Sequence, residues 1–141
     1  MPRAATPVPL PGLFAALADT TRLRLLNLMA GREVCVCYFV EILRQGQPKI
    51  SRHLAYLRKA GLVAARREGK WMHYSISPPA SPAAAAILSA TLESLHGDRQ
   101  MQADRARLDR ACCAPQFLVV PGAAPRPVPA PPISGAGLGP C

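Results

Sequence analysis

The chain has 141 residues, a formal net charge of +9, 16 prolines and five cysteines. That length supports one domain with a real core, and the proline-rich ends predict flanking tails and no second domain. No apolar run approaches the roughly 20 residues of a membrane span, and Met1-Pro2-Arg3 does not open a signal peptide, so a cytoplasmic protein without membrane contact is expected.

Residues 1–9 carry three prolines and little charge, which reads as a disordered leader. Order is expected from about Leu10, in a folded domain spanning residues 10–111. Leu10, Leu13, Phe14, Leu17 and Ala18 keep helical spacing. Asp19 then suits the N-cap of a second helix that carries Leu23, Leu26 and Met29 inward, turns Arg22 and Arg24 outward and ends at Gly31. A third helix is predicted from about Val34 to Leu43, with Val36, Phe39, Val40 and Leu43 as its packing face and Gln45-Gly46 as the turn after it.

The stretch from Gln47 to Leu62 organises the rest. Ile50, Leu54, Leu57 and Leu62 fall on one side of a 3.6-residue period, leaving Lys49, Ser51, Arg52, His53 and Tyr56 as a polar face without a carboxylate. Pro48 fits the first helical position and Gly61 a left-handed C-cap. Residues 63–76 follow as two β-compatible arms around Glu68-Gly69-Lys70, a basic hairpin. From Arg44 to His73 eight Lys and Arg face Glu68 alone, the electrostatic footprint of a protein that displaces counterions from nucleic acid. The expected fold is mainly α (α+β): a winged helix-turn-helix with a two-stranded β-hairpin wing. The predicted DNA-contacting residues are Gln47, Lys49, Ser51, Arg52, His53, Tyr56, Arg66, Arg67 and Lys70. Trp71, Tyr74 and His73 read as packing residues of the wing.

Ser81-Pro82 restarts a helix whose apolar stripe, Ala84, Ile87, Leu88, Leu92 and Leu95, continues more weakly past Gly97 to Met101 and Leu108. Such a length predicts a C-terminal dimerisation helix in a homodimer. Residues 112–141 comprise Cys112-Cys113 and a proline-rich tail predicted to be disordered.

Five cysteines, an odd number with Cys35 beside Cys37, Cys112 beside Cys113 and Cys141 at the C-terminus, fit thiol chemistry in a reducing compartment better than a disulfide framework. Paired thiolates are soft ligands for thiophilic ions. On one helix, residues i and i+2 point about 200° apart, so joint binding by Cys35 and Cys37 is expected to distort the first turn of the third helix and shift its neighbour.

Glu33-Val34-Cys35-Val36-Cys37, followed by Gln47-Pro48-Lys49-Ile50-Ser51-Arg52-His53-Leu54 and Gly69-Lys70-Trp71-Met72-His73-Tyr74, resembles the ArsR/SmtB family of metalloregulatory repressors, especially its arsenic-responsive branch. The resemblance covers roughly residues 10–110. It implies a homodimeric repressor, not an enzyme, that binds double-stranded operator DNA without a cofactor. It also implies release when As(III) or Sb(III) binds helix cysteines. The arsenic-sensor motif continues to a further cysteine, where this chain has Tyr38-Phe39-Val40, so Cys112 or Cys113 is the candidate third ligand. Alternative inducers are trivalent organoarsenicals or Cd(II) and Pb(II), and a thiol redox switch at Cys112-Cys113 is the rival use of that pair. His96 with Asp98 and Asp104 is a weaker zinc candidate.

Overall fold

The computed structural model describes residues 9–113 and the short strand Val128–Pro129. Apart from Pro9, the expected leader lies outside the described residues, as do the rest of the tail, Cys141 and the side chains of Cys112 and Cys113.

Helices α1 (Leu10–Leu17) and α2 (Thr20–Met29) are separated by Asp19, whose carboxylate accepts from the Arg22 N–H at 3.0 Å and so caps α2 as its sequence position predicts. Strand β1 (Arg32–Cys35) leads directly into α3 (Val36–Leu43). Helix α4 (Gln47–Lys59) follows through Arg44, which takes a left-handed φ of 54°. At its end Gly61 has φ 81°, and the Gly61 and Leu62 N–H groups donate to Arg58 and Leu57, which satisfies carbonyls of the last turn. Strands β2 (Val63–Glu68) and β3 (Trp71–Ile76) pair antiparallel in full register, from Val63 opposite Ile76 to Glu68 opposite Trp71. Gly69, at φ 60°, makes the two-residue connection possible.

The winged helix-turn-helix is present, with one addition. The wing is extended by β1, which pairs antiparallel with β3 through Val34 opposite Tyr74 and Cys35 opposite His73, giving the order β2-β3-β1. Val34 and Cys35 were expected to open the third helix, but Arg-Glu-Val-Cys places a β-branched residue and a cysteine beside an open strand edge, and tertiary pairing overrides local helical spacing. On the other edge of β1, β4 (Val128–Pro129) pairs with Arg32 and Glu33, so these two residues depart from an unstructured tail.

The single long C-terminal helix is instead two. Helix α5 (Pro82–Leu95) begins with Ser81 as N-cap, and α6 (Arg99–Cys113) starts after Gly97-Asp98. Its apolar positions are not spare surface. Met101, Leu108 and Ala111 are buried in their own chain, where α6 packs on α2 and α3. Polar ties complete the docking. Arg24 forks onto Asp104 at 2.7 and 2.9 Å, Asn27 donates to the Met101 carbonyl, Arg32 reaches Asp109 at 2.8 Å, and Arg107 donates to the Ile42 carbonyl. Arg24 therefore turns inward, against expectation. The core proper joins Leu13, Leu25, Leu26, Met29, Phe39, Ile42, Ile50, Leu54, Leu57 and Leu62. No helix among the described residues is long and apolar enough to cross a membrane.

Candidate nucleic-acid interface and thiol site

Helix α4 buries Ile50, Leu54 and Leu57 completely, each stabilising the fold by roughly 1.5–3 kcal/mol. The opposite side remains open. Gln47, Lys49, Ser51, Arg52 and Tyr56 are exposed, as are Arg58 and Lys59 in the last turn. Carboxylates are absent from α4, and no first-turn residue is acidic, so its outer face is uniformly cationic or neutral. This matches the polar face read from the sequence.

His53 differs from its neighbours. Its side chain is only 18% exposed, with Nδ1 3.7 Å from the Asp19 carboxylate and 3.4 Å from Arg22 Nη1. It is a packed residue at the edge of the exposed face of α4. In the wing, Arg67 and Lys70 are exposed, with Lys70 resting 5.1 Å from the Trp71 ring and Arg67 donating to the Gly69 carbonyl.

Arg66 is committed elsewhere. Its guanidinium donates to both oxygens of Glu33, at 2.7 to 3.3 Å, and to Glu68 at 3.1 Å. These two carboxylates hold its pKa above the usual arginine value and offset its charge, so the wing presents fewer free cations than a count of its residues indicates. The Glu33 carboxyl is in turn held below the ordinary carboxylate range, chiefly by Arg66. Glu33 lies on β1 and Arg66 on β2, with β3 between them, so this ion pair crosses the sheet. Sequence reading missed it because the partners are 33 residues apart and no local pattern couples them.

The thiols occupy the joint between β1 and α3. Cys35 is the last residue of β1 and the N-cap of α3, with extended backbone angles (φ −71°, ψ 143°), while Cys37 lies in the first turn. Because Cys35 is outside the helix, the 200° separation expected of two helical residues does not apply. The two thiols instead lie near enough for Cys35 to act on the titration of Cys37. Cys35 is fully buried and Cys37 half-buried; burial first, then the neighbouring Cys35, pushes the Cys37 thiol from 9.0 up to about 11. Both cysteines are free. Among the described residues no group of three His, Cys, Asp or Glu side chains is placed to hold a metal ion. The His96, Asp98 and Asp104 combination is dispersed, since Asp98 caps α6 through the Met101 N–H and Asp104 is engaged by Arg24 and Gln100.

Cys112 and Cys113 complete α6. Asp109, within about one helical turn of them, is ion-paired to Arg32 in β1, the strand that ends at Cys35.

Comparison with known proteins agrees with this arrangement. Residues 19–65, from the cap of α2 through α4 into β2, match the family described as "Bacterial regulatory protein, arsR family". The arsenical resistance operon repressor of Escherichia coli K12 is 51% identical over 77 residues, which cover 54% of this chain and 66% of the repressor, just under two thirds of its length. An arsenic resistance transcriptional regulator of Pseudomonas putida KT2440, ArsR2, is 41% identical over 85 residues, covering 60% of this chain and 74% of that protein. Among solved structures, reduced HlyU from Vibrio cholerae superposes with a TM-score of 0.54 at 30% identity, covering 63% of this chain and 90% of that one. A homodimeric winged helix-turn-helix DNA-binding domain from Mycobacterium bovis gives a TM-score of 0.52 at 28% identity, covering 64% and 81%. With its α4 face, its three-stranded wing and these similarities, the chain belongs to the arsR family of DNA-binding bacterial transcription regulators.

Proposed function

We propose that this protein is a homodimeric transcriptional repressor that binds operator DNA and is released when As(III) or Sb(III) is held by Cys35 and Cys37, with Cys112 or Cys113 as a further thiol ligand. The observation that carries the reading is the proximity of two free thiols at the joint between the wing sheet and α3. Two sulfurs without an accompanying carboxylate suit a soft, thiophilic ion and disfavour hard cations. Such an ion, when bound, would supply a covalent bridge between the two sulfurs. The arsenic-related names of the relatives from E. coli and P. putida point the same way.

The joint is attached to both DNA-reading elements. Cys35 belongs to a strand hydrogen-bonded to β3 of the wing, and two residues earlier Glu33 fastens that strand to Arg66 on β2. Cys37 belongs to α3, which packs on α4. Closing the two sulfurs together changes the angle at which β1 enters α3, and the wing and α4 cannot both keep their places. This replaces the helix-unwinding route expected from the sequence, since Cys35 is already outside the helix. Binding energy at the thiols thereby favours the form that fits DNA less well. On α1, Leu10 and Phe14 are about half exposed and offer apolar surface to a second copy.

The test is fluorescence anisotropy of a duplex selected by the protein from a random pool, followed while As(III), Sb(III), methylarsenite, Cd(II) and Zn(II) are added in turn. Cys35→Ser and Cys37→Ser should retain duplex affinity within about threefold and lose release by As(III). A variant that still dissociates on adding As(III) would refute the assignment.

A further inference from the structure

We propose that Arg22 is a positioning residue for DNA recognition: its guanidinium fixes the rim of α4 to the end of α1 and thereby sets the angle at which α4 is presented to DNA. The inference rests on α4 being the DNA-reading helix. Arg22 Nε donates to the Ala16 carbonyl at 2.8 Å and Nη2 to the Ala15 carbonyl at 2.9 Å. Both carbonyls belong to the last turn of α1, where that of Ala15 also accepts from the Ala18 N–H at 3.2 Å. Nη1 stands 3.4 Å from His53 Nδ1, and the guanidinium carbon lies 4.1 Å from the centre of the Tyr56 ring. One planar group thus joins the end of α1, the start of α2 and the middle of α4.

The consequence follows from how α4 is otherwise held. Ile50, Leu54 and Leu57 anchor its inner face, but apolar contacts are non-directional and resist rotation about the helix axis weakly. His53 and Tyr56, three residues apart and therefore neighbours on the helix surface, lie at the edge between the buried and exposed sides. A directional clamp there fixes the rotation of α4. With Nε and Nη2 each donating to a carbonyl of α1 and Nη1 turned to His53, Arg22 is held to the protein and not offered to a phosphate, although it is a cation next to the exposed face of α4. Lysine could carry the charge but not the fork of donors together with the stacked plane.

The experiment compares Arg22→Ala and Arg22→Lys with the unaltered chain. Affinity is measured across a salt series for a duplex selected by the protein from a random pool and for a scrambled duplex, with the melting temperature recorded alongside. Both variants should lose about tenfold or more on the selected duplex and less than threefold on the scrambled one. The dependence on salt should stay unchanged, because no phosphate contact is removed. Tyr56→Leu, at an exposed position that the core does not need, should cost a similar factor, and combining it with Arg22→Ala should add little. A salt slope reduced by about one with equal losses on both duplexes would make Arg22 a phosphate contact and overturn the proposal. Full rescue by lysine, or additive losses with Tyr56→Leu, would overturn it as well. If Arg22→Ala fails to fold, the lysine variant and the Tyr56 combination still decide. An unaltered chain that does not prefer its selected duplex would instead refute the role of α4.

Discussion

The high pKa of Cys37 separates an arsenic sensor from a sensor of divalent ions through a proton count. Arsenous acid is neutral, and its condensation with two thiols releases two waters; each thiol proton leaves on a hydroxyl group, so the balance contains no free proton. A divalent cation such as Cd(II) must instead expel the thiol protons into solution. A thiol pushed up to about 11 is fully protonated throughout the neutral range, so every Cd(II) bound at Cys37 releases one proton from that residue between pH 6 and 8. One proton per ion changes Kd tenfold per pH unit, about 100-fold over those two units from Cys37 alone. The As(III) affinity should change less than about threefold over the same range, on the same balance. The assay is calorimetric titration of the DNA-free protein, kept reduced with a phosphine, in two buffers of different ionisation enthalpy at each pH. Equal pH slopes for As(III) and Cd(II), or a Cd(II) affinity flat with pH, would refute both the protonation state of Cys37 and the chemistry built on it.

Two further outcomes follow from burial. Asp104 is fully buried and its partner Arg24 part-buried; Asp104→Ala leaves the guanidinium without its carboxylate and should cost about 1–3 kcal/mol by urea denaturation. Changing both residues to well-packed apolar ones should recover much of that loss. A folded state that keeps a raised thiol pKa binds more protons than the unfolded chain, so the contribution of Cys37 is fully present below pH 9 and is lost as pH rises from 9 toward 11. Between pH 8 and 10.5 that loss should amount to about 1–2 kcal/mol for the unaltered chain and disappear in Cys37→Ser, read from denaturation midpoints.

Elements with strong local chemistry were legible in the sequence. Asp19, Pro48, Gly61, Gly69 and Ser81 each do what their residue type favours at a helix or hairpin boundary, and the apolar period of α4 locates its buried face. What escaped notice depends on partners far along the chain. Residues 32–35 become a strand only because β3 offers an edge to pair with, and that one change moves Cys35 out of the helix and reverses the expected geometry of the thiol pair. Arg66 read as a free cation of the wing because Glu33 lies two strands away. The weak stripe from Met101 to Leu108 suggested a partner subunit, yet its partners are α2 and α3 of the same chain.

The docking of α6 also imposes an order of events during synthesis. Its ties join residues far apart in the chain: 80 positions separate Arg24 from Asp104, 77 separate Arg32 from Asp109 and 65 separate Ile42 from Arg107. At about 5–20 residues per second, roughly 4–16 s pass between the emergence of Arg24 and that of its counter-ion. Helices α1 to α4 and the hairpin, whose contacts are closer in sequence, can therefore assemble while Arg24 and Asn27 are still open to water. The nascent chain acquires α4 and the wing first and its closing helix last, leaving an interval in which chaperones or a second nascent chain can reach the groove that α6 will fill.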